Sequence, residues 1–355
     1  MSNRRLYVDV GLIWGASQTG QFRAAAFRIL AMSARKTLWL SGGFDDVVYA
    51  INTTNGSVKL DAGAGPDWRY LDQSNQIQLT RSEGLGVASL ALFAGGTLSA
   101  ERNQPLRTDA SALVALSEQT VATAFQVSDS NPLVGLAGRV QMLRRLGEVA
   151  AATPTVFGPT RRLGNLFDYL ADHAHGKEIE ASFILETLLR ALGPVWPGRI
   201  LLDGVSLGDC WRHPDVEGGL LPFHKLMQWL TYSLLEPLEE AGFCVTGLDQ
   251  LTGLPEYRNG GLLLDLGLVL PRDPAFCSTS LTVDQPAVVE WRALTVIALD
   301  RVADAVRAQL GVSAEAFPLA RVLEGGTWAA GRRIAAERRP GGMPPVSIVS
   351  DGTVF

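Results

Sequence analysis

The chain has 355 residues, of which 47% are hydrophobic and 19% are charged, and its formal net charge is −5. This composition predicts a soluble globular protein with a large core, and the negative charge argues against a general nucleic-acid binder. No signal peptide and no uncharged apolar run of spanning length occurs, so we expect a cytoplasmic protein with no membrane partner.

Residues 1–57 have the weakest pattern. Short apolar stretches predict strands at Leu6–Val10 and Thr37–Leu40, whereas Gln21–Ser33 is predicted as a helix. Asn55-Gly56 is a turn signal between two strand-like flanks. The N-terminal part is therefore predicted as a small, atypical segment of mixed α/β structure.

Helical patterns dominate from Thr80 onwards, so the fold class is predicted as mainly α. Thr80 and Glu83 have the spacing of a capping box. Segment Ile200–Pro214 is predicted as loop-rich, and the C-terminal residues as a short strand and a turn. Further helices are predicted at Asp109–Gln126, Pro132–Ala152, Asn165–His173, Ile179–Leu192, Val288–Leu310 and Phe317–Arg339.

The central stretch, Pro222–Leu270, opens with an amphipathic helix that Gly242 would cap. Its apolar side chains have the spacing that lines one helical face: Phe223, Leu226, Leu230, Leu234 and Leu238. Lys225 and Gln228 lie three residues apart, hence on one face. They either reach Glu256 or a ligand, or they lie at the surface.

A polar cluster, Glu256-Tyr257-Arg258-Asn259, precedes the apolar segment Leu262–Leu270. A carboxylate at the first turn of a buried helix is favoured by the helix dipole and is partly desolvated. The pattern fits a functional carboxylate and a helix cap held by a structural ion pair equally well.

Other carboxylates lie in locally apolar or glycine-rich settings, namely Asp61, Asp67, Glu290, Glu324 and Asp351. Glu290 and Arg292 begin an apolar helix, so we expect their charges to face each other or a pocket. The alternative is a buried structural salt bridge between them. Two adjacent glycines at Gly325-Gly326 weaken the last helix and suggest close approach of a neighbour or ligand.

A metal site and a nucleophilic site are both disfavoured. Cys210, His213, His224 and Cys244 offer four ligands, but their spacing fits no zinc signature. No nucleophile elbow and no catalytic cysteine signature occurs. We therefore expect no metal and no cofactor.

Several long strings resemble the uracil-catabolism family of fungi and some bacteria, and together they cover Val58–Phe355. The resemblance implies that residues 58–355 form one helical domain of that family's kind. They are LPEYRNGGLLLDLGLVL, PFHKLMQWLTYSLLEPLEEAG, LEGGTWAAGR, SDGTVF, DAGAGPDWRY and RSEGLGVASL. The resemblance implies a role in the route that opens the pyrimidine ring after uracil becomes its nucleotide, which leaves a ribosylated urea to be split.

The chain also resembles, more distantly, the queuosine-salvage family, whose members hydrolyse an N-glycosidic bond and are built like helical DNA glycosylases. Phe223-His224-Lys225 corresponds to that family's Phe-Tyr-Lys, and Pro255-Glu256-Tyr257-Arg258 to its Ala-Asp-Tyr-Arg. Glu290-Trp291-Arg292 corresponds to its Glu-x-Arg. The family's late Leu-Trp-Asp has no acid here after Trp328, so a second carboxylate comes from Glu324 or Asp351, or is absent.

These resemblances predict a helical bundle and an N-glycoside hydrolase of a ribosyl-urea phosphate or related nucleotide-derived small molecule. The alternatives are a ureido amidohydrolase and a non-catalytic subunit that binds a pathway intermediate. The predicted catalytic residues are Glu256, Lys225 and Asp351. The predicted substrate-binding residues are Asp61, Asp67, Trp68, His224, Gln228, Tyr257, Arg258, Asn259, Glu290, Arg292, Glu324 and Trp328.

Overall fold

A computed structural model describes residues 92–349, except 129–132, 134, 197 and 198, together with five strands between residues 12 and 61. For those five strands, and for residues 324, 325 and 341, it describes the backbone alone. The chain divides into two compact units. Unit 1 comprises Met1–Gly15, Arg23–Ile179 and Ser233–Val245, and unit 2 comprises Ala16–Phe22, Glu180–Tyr232 and Thr246–Phe355.

The N-terminal strands form one five-stranded sheet, in which neighbours along the chain are neighbours in the sheet. The second to fifth strands pair antiparallel, and Ile51 lies opposite Val58, so the strand-like flanks of Asn55-Gly56 are confirmed. The strands are β1 (Leu12–Ala16), β2 (Phe22–Met32), β3 (Thr37–Gly42), β4 (Val48–Asn52) and β5 (Val58–Asp61).

The predicted helix at Gln21–Ser33 is wrong, because these residues form strand β2. A short apolar run does not distinguish a helix from a strand by period alone, and antiparallel pairing with β3 decides in favour of the strand. The predicted strand at Thr37–Leu40 is confirmed as β3. The predicted strand at Leu6–Val10 and the capping box at Thr80 lie outside the described residues.

The helices of unit 1 bury the apolar positions that the sequence predicts. Leu113, Leu116 and Val121 are all buried, but their helix is broken in two because the Ser117 hydroxyl accepts the backbone N–H of Thr120 and caps a new helix. The helices are α1 (Ala110–Val114), α2 (Glu118–Ala124), α3 (Leu136–Ala152), α4 (Pro154–Phe157) and α5 (Asn165–Asp172).

Unit 2 consists mainly of helices, with short strands between them. The helices are α6 (Ala181–Leu192), α7 (Lys225–Glu240), α8 (Tyr257–Asp265), α9 (Pro286–Leu310), α10 (Leu319–Val322) and α11 (Ala329–Arg338). Residues of α7 after Tyr232 belong to unit 1.

The remaining strands of the two units are all short. They are β6 (Glu178–Glu180), β7 (Leu201–Leu202), β8 (Val205–Ser206), β9 (Cys210–Arg212), β10 (Leu220–Pro222), β11 (Cys244–Thr246), β12 (Ser280–Thr282) and β13 (Ser347–Val349).

Helix α7 has the predicted apolar face. All five side chains of that face are buried, and Gly242 follows the helix with φ of 89°, a left-handed conformation that glycine adopts readily. Phe223 also belongs to the core of unit 2, which contains Trp211, Tyr257 and Trp291 as further aromatic residues.

Helix α8 packs closely against its neighbours in unit 2 because two glycines leave room. A Cβ at Gly260 would lie 2.7 Å from the Trp291 ring, whose N–H donates to the Gly260 carbonyl (3.2 Å). A Cβ at Gly331 of α11 would overlap the backbone carbonyl of Arg258. The start of α8 is therefore fixed from two sides.

The predicted helix at Phe317–Arg339 is interrupted. Leu323–Trp328 forms a π-helical turn between α10 and α11, at the place where Gly325-Gly326 weakens an α-helix. The expected close approach is not seen at Gly326, since a Cβ there would meet nothing within 4 Å. Close approach occurs instead at Gly331.

The described residues confirm a mainly α architecture. The N-terminal elements that the structure describes are all strands, rather than a mixture of helices and strands. Within the described part of the chain, no helix has both the length and the apolar character needed to cross a bilayer. The glycosylase-like bundle and the boundary at residues 57 and 58 stay predictions.

Candidate functional site

Four buried charged side chains of unit 2 interact with one another. Their exposed fractions are 7% for Asp209, 4% for Lys225, 4% for Glu256 and 1% for Arg292. Asp209 precedes β9, Lys225 begins α7, Glu256 precedes α8, and Arg292 lies in the second turn of α9. We call these four residues the charge cluster. Buried charges require partners, so the bonds of each member decide its role.

Asp209 and Arg292 form a bidentate ion pair. Arg292 donates from Nη1 to Oδ1 and from Nη2 to Oδ2, both at 2.8 Å, and its Nε donates to the Pro255 carbonyl (3.3 Å). Burial raises the pKa of Asp209, but Arg292 and the N–H groups of Trp211 and Lys225 outweigh it and lower that pKa to about 2. All three guanidinium nitrogens of Arg292 are therefore engaged in holding the site together.

Glu256 is the N-cap of α8. Its Oε2 accepts the backbone N–H of Arg258 (2.8 Å) and its Oε1 accepts that of Asn259 (2.6 Å). Burial raises the pKa of Glu256, while these two bonds and the nearby charge of Lys225 partly oppose it. The hydrogen bonds of Glu256 are those of a helix cap, as one of the two alternatives predicted. The net effect on its pKa is an increase, so this carboxylate takes up a proton more readily than an ordinary glutamate.

Lys225 and Glu256 interact electrostatically. Burial lowers the pKa of Lys225 to about 8, Arg292 adds to the effect, and Glu256 and Asp209 oppose it. At neutral pH the amine is charged but loses its proton easily. A carboxylate with a raised pKa beside an amine with a lowered pKa is an arrangement that acid–base catalysis uses.

The other polar residues around the cluster have separate partners. Gln228 is buried and accepts the backbone N–H of Thr252 through Oε1 (3.2 Å), so the surface alternative for Lys225 and Gln228 is wrong. Arg258 donates from Nη1 to the Gly342 carbonyl (2.8 Å) and lies over the Tyr257 ring, 4.9 Å from its centroid.

The expected pairing of Glu290 with Arg292 is wrong. Glu290 is exposed, whereas Arg292 is buried against Asp209. Residues two positions apart on a helix point in nearly opposite directions, so only one of them faces the core. The structure therefore removes Glu290 from the charge cluster.

A cavity of about 820 Å³ lies next to one side of the charge cluster, in unit 2. Its walls are mostly apolar, and Asp209 and His224 contribute the acidic and imidazole groups. His224 has φ of 47°, and burial lowers its pKa while Asp209 opposes that change. Glu256 and Lys225 do not line this cavity. The common cavity predicted for Glu256, Lys225 and the Asp61–Trp68 loop is therefore not this one.

Of Asp61, Asp67, Trp68, Glu324, Trp328 and Asp351, the structure describes the side chain of Trp328 alone. Trp328 is half-buried beneath Arg332, whose guanidinium lies 5.0 Å from the ring centroid. Asp67, Trp68 and Asp351 lie outside the described residues. For Asp61 and Glu324 the structure describes the backbone alone.

The thiols and imidazoles considered as metal ligands do not form a cluster in the described part of the chain. Among those residues, no group of three or more histidine, cysteine, aspartate or glutamate side chains is arranged to hold a metal ion. Cys210 and His213 are buried, and Cys244 is exposed.

Sequence reasoning missed Asp209, the partner of Arg292. The only local signal is the string Ser206-Leu207-Gly208-Asp209, an acid at the end of a loop just before a buried strand. Its partner lies 83 residues further along the chain, so no helical or strand spacing connects the two.

Comparisons with known proteins agree with the predicted resemblance to uracil-catabolism proteins. "Uracil catabolism protein 4" of Lachancea kluyveri is 36% identical in an alignment 354 positions long, which covers 89% of this chain and 80% of that protein. "Protein urg3" of Schizosaccharomyces pombe is 39% identical in an alignment 325 positions long, which covers 89% of this chain and 78% of that protein. A family model described as "Protein of unknown function (DUF1688)" matches residues 44–355. Because this match extends over most of its length, the chain belongs to the DUF1688 family.

Proposed function

We propose that this protein is an enzyme of uracil catabolism that hydrolyses the N-glycosidic bond of a ribosyl-urea phosphate or a related nucleotide fragment. The observation that carries the proposal is the buried pair of Glu256 and Lys225, whose pKa values are displaced in opposite directions. The name of the relative from Lachancea kluyveri supports the pathway. The resemblance to the salvage N-glycosidases supports the reaction.

The two side chains suit the two proton transfers of this hydrolysis. When the bond between the anomeric carbon and the nitrogen breaks, positive charge develops on the sugar, and the Glu256 carboxylate stabilises it. Glu256 then takes a proton from the water that adds to the anomeric carbon. Lys225, as an ammonium, gives a proton to the departing nitrogen. The products are a sugar phosphate with a new hydroxyl and a free urea.

The two arginines have different roles in this proposal. Arg292 is a positioning residue, because its three nitrogens hold Asp209 and the Pro255 carbonyl. Asp209 in turn accepts the backbone N–H of Lys225 (3.0 Å), which fixes the start of α7. Arg258, at the first turn of α8, is assigned to the substrate phosphate.

The cavity supports a second candidate, a subunit that binds a pathway intermediate without converting it. Its volume of about 820 Å³ suits a nucleotide fragment. A ligand held there would meet His224 and Asp209, since Glu256 and Lys225 are not in its lining. Binding without turnover would favour this candidate.

Product analysis tests the proposal. The protein is incubated with synthetic ribosyl-urea 5′-phosphate, and urea, ammonia and reducing sugar phosphate are measured over time. We expect urea and ribose 5′-phosphate in equal amounts. Release of ammonia instead would support the amidohydrolase alternative, and calorimetric binding without any product would support the binding subunit.

A further inference from the structure

The side chain of Asn259 has a buried acceptor that the described protein does not use. Asn259 is 1% exposed, and no donor among the described residues bonds to its Oδ1. A buried polar atom without a partner costs about 1–3 kcal/mol, so such atoms are rare unless a ligand or water satisfies them. The residue lies in the first turn of α8, three positions after Glu256.

The orientation of this amide is fixed by its other contacts. Nδ2 donates to the Leu254 carbonyl (3.0 Å), and the backbone N–H donates to Glu256 (2.6 Å). Exchanging the amide oxygen and nitrogen would place two oxygens against each other at Leu254, so the acceptor is correctly assigned to Oδ1. Asn259 therefore offers an unused acceptor on the residue whose backbone N–H binds the carboxylate of Glu256.

We propose that Asn259 Oδ1 accepts a hydrogen bond from the terminal amino group of a ureido ligand and so selects that class of ligand. This inference rests on the proposed function, which puts the glycosidic bond of the ligand at Glu256. In such a ligand the terminal amino group lies two bonds beyond the glycosidic nitrogen. Asn259 is a binding residue in this assignment and takes no part in proton transfer.

Two ligands of nearly equal shape test the assignment. N-Ribosylurea 5′-phosphate carries the terminal amino group, and N-ribosylacetamide 5′-phosphate has a methyl group in its place. Affinities are measured by calorimetry in the Glu256→Gln background, where no turnover consumes the ligand. We expect the urea to bind roughly 10-fold or more tightly than the acetamide, because the acetamide leaves Oδ1 without a donor.

Asn259→Leu removes the acceptor and should abolish the preference, so that both ligands bind alike. The matched control is Asn165→Leu in unit 1, which removes an asparagine that donates to the Phe157 carbonyl (2.7 Å) and should keep the full preference. If Asn259→Leu does not fold, Asn259→Ala takes its place.

Three results would overturn the inference: equal affinity of the two ligands for the protein with an intact Asn259, no binding of the urea, or a preference that survives Asn259→Leu. Equal affinity is also the result expected if Oδ1 binds only a buried water. Failure of the proposed reaction is a separate result, because a protein that releases no urea can still prefer the ureido ligand.

Discussion

Helix α8 has a carboxylate at each end, and the two are held in different ways. Asp265, its last residue, is bound through both oxygens by Arg339, with Nη1 of Arg339 2.7 Å from Oδ1. Glu256, before its first residue, is bound through both oxygens by backbone N–H groups, and the charges of Lys225 and Arg258 also act on it.

The difference separates a structural carboxylate from one that is available for chemistry. A guanidinium stays charged at any working pH, so it accepts no proton from its partner. A lysine with a pKa of about 8 exchanges its proton near neutral pH. The group that bonds to a buried carboxylate, whether a guanidinium or a backbone N–H, therefore tells more about the role of that carboxylate than its burial does.

The largest expected effect is that of Glu256→Gln. This change keeps the shape and removes the charge, so turnover of ribosyl-urea phosphate should fall on the order of 100-fold or more. Folding should survive, since the amide oxygen still accepts a backbone N–H. Glu256→Asp should keep partial activity because it retains the charge with a shorter reach. Steady-state kinetics and thermal unfolding check both variants, and an unchanged rate for Glu256→Gln would refute the assignment.

The next effect concerns Lys225 and pH. If Lys225 donates a proton, it must be charged, and activity should fall as the pH rises through about 8. Lys225→Arg keeps the positive charge but does not release a proton, so the rate should drop roughly 10-fold or more and the alkaline fall should disappear. A pH–rate profile of both proteins measures this. An alkaline fall that persists in Lys225→Arg would assign it to another group.

Asp265→Asn should give the opposite pattern to Glu256→Gln. It replaces the bidentate partner of Arg339 with a neutral group, which should lower the free energy of unfolding by about 2 kcal/mol. The turnover of the folded protein should remain within about twofold, because Asp265 is at the far end of α8. Urea denaturation and kinetics at low temperature measure the two quantities. Loss of turnover in Asp265→Asn without loss of stability would show that Asp265, and not only Glu256, is needed for catalysis.

The smallest expected effect is that of Glu290→Gln. Glu290 is exposed, so the free energy of unfolding should change by less than about 0.5 kcal/mol and turnover should be unaffected. The same two measurements serve as a control for charge removal near the cluster. A large loss of activity here would show that the sequence-based expectation for Glu290 was better than the structural one.

Features encoded over a few residues were predictable from the sequence. The buried face of α7 follows from spacing within one or two helical turns, and the position of Glu256 fitted a helix cap as well as a functional carboxylate. The strand β2 was not, because its apolar run fits two periods and its pairing with β3 decides between them. The local pattern therefore predicted secondary structure correctly only where the residues fit one period, either that of a helix or that of a strand.

Features that join distant segments were not predictable. The sequence placed Arg292 with Glu290, two positions away, whereas the fold pairs it with Asp209, 83 positions away. The same applies to Asp265 and Arg339, which lie 74 positions apart. Such pairs depend on how helices pack, so the partner of a buried arginine has to be read from the structure.

The π-helical turn at Leu323–Trp328 has a consequence for changes in chain length. A π turn holds one residue more than an α turn over nearly the same rotation, so deleting one residue here would regularise the helix and keep the orientation of α11 about its axis. Gly331 would then stay against the Arg258 carbonyl, where a side chain would not fit. The π turn thus takes up one extra residue without changing the face that the C-terminal helix turns towards the backbone that carries Glu256.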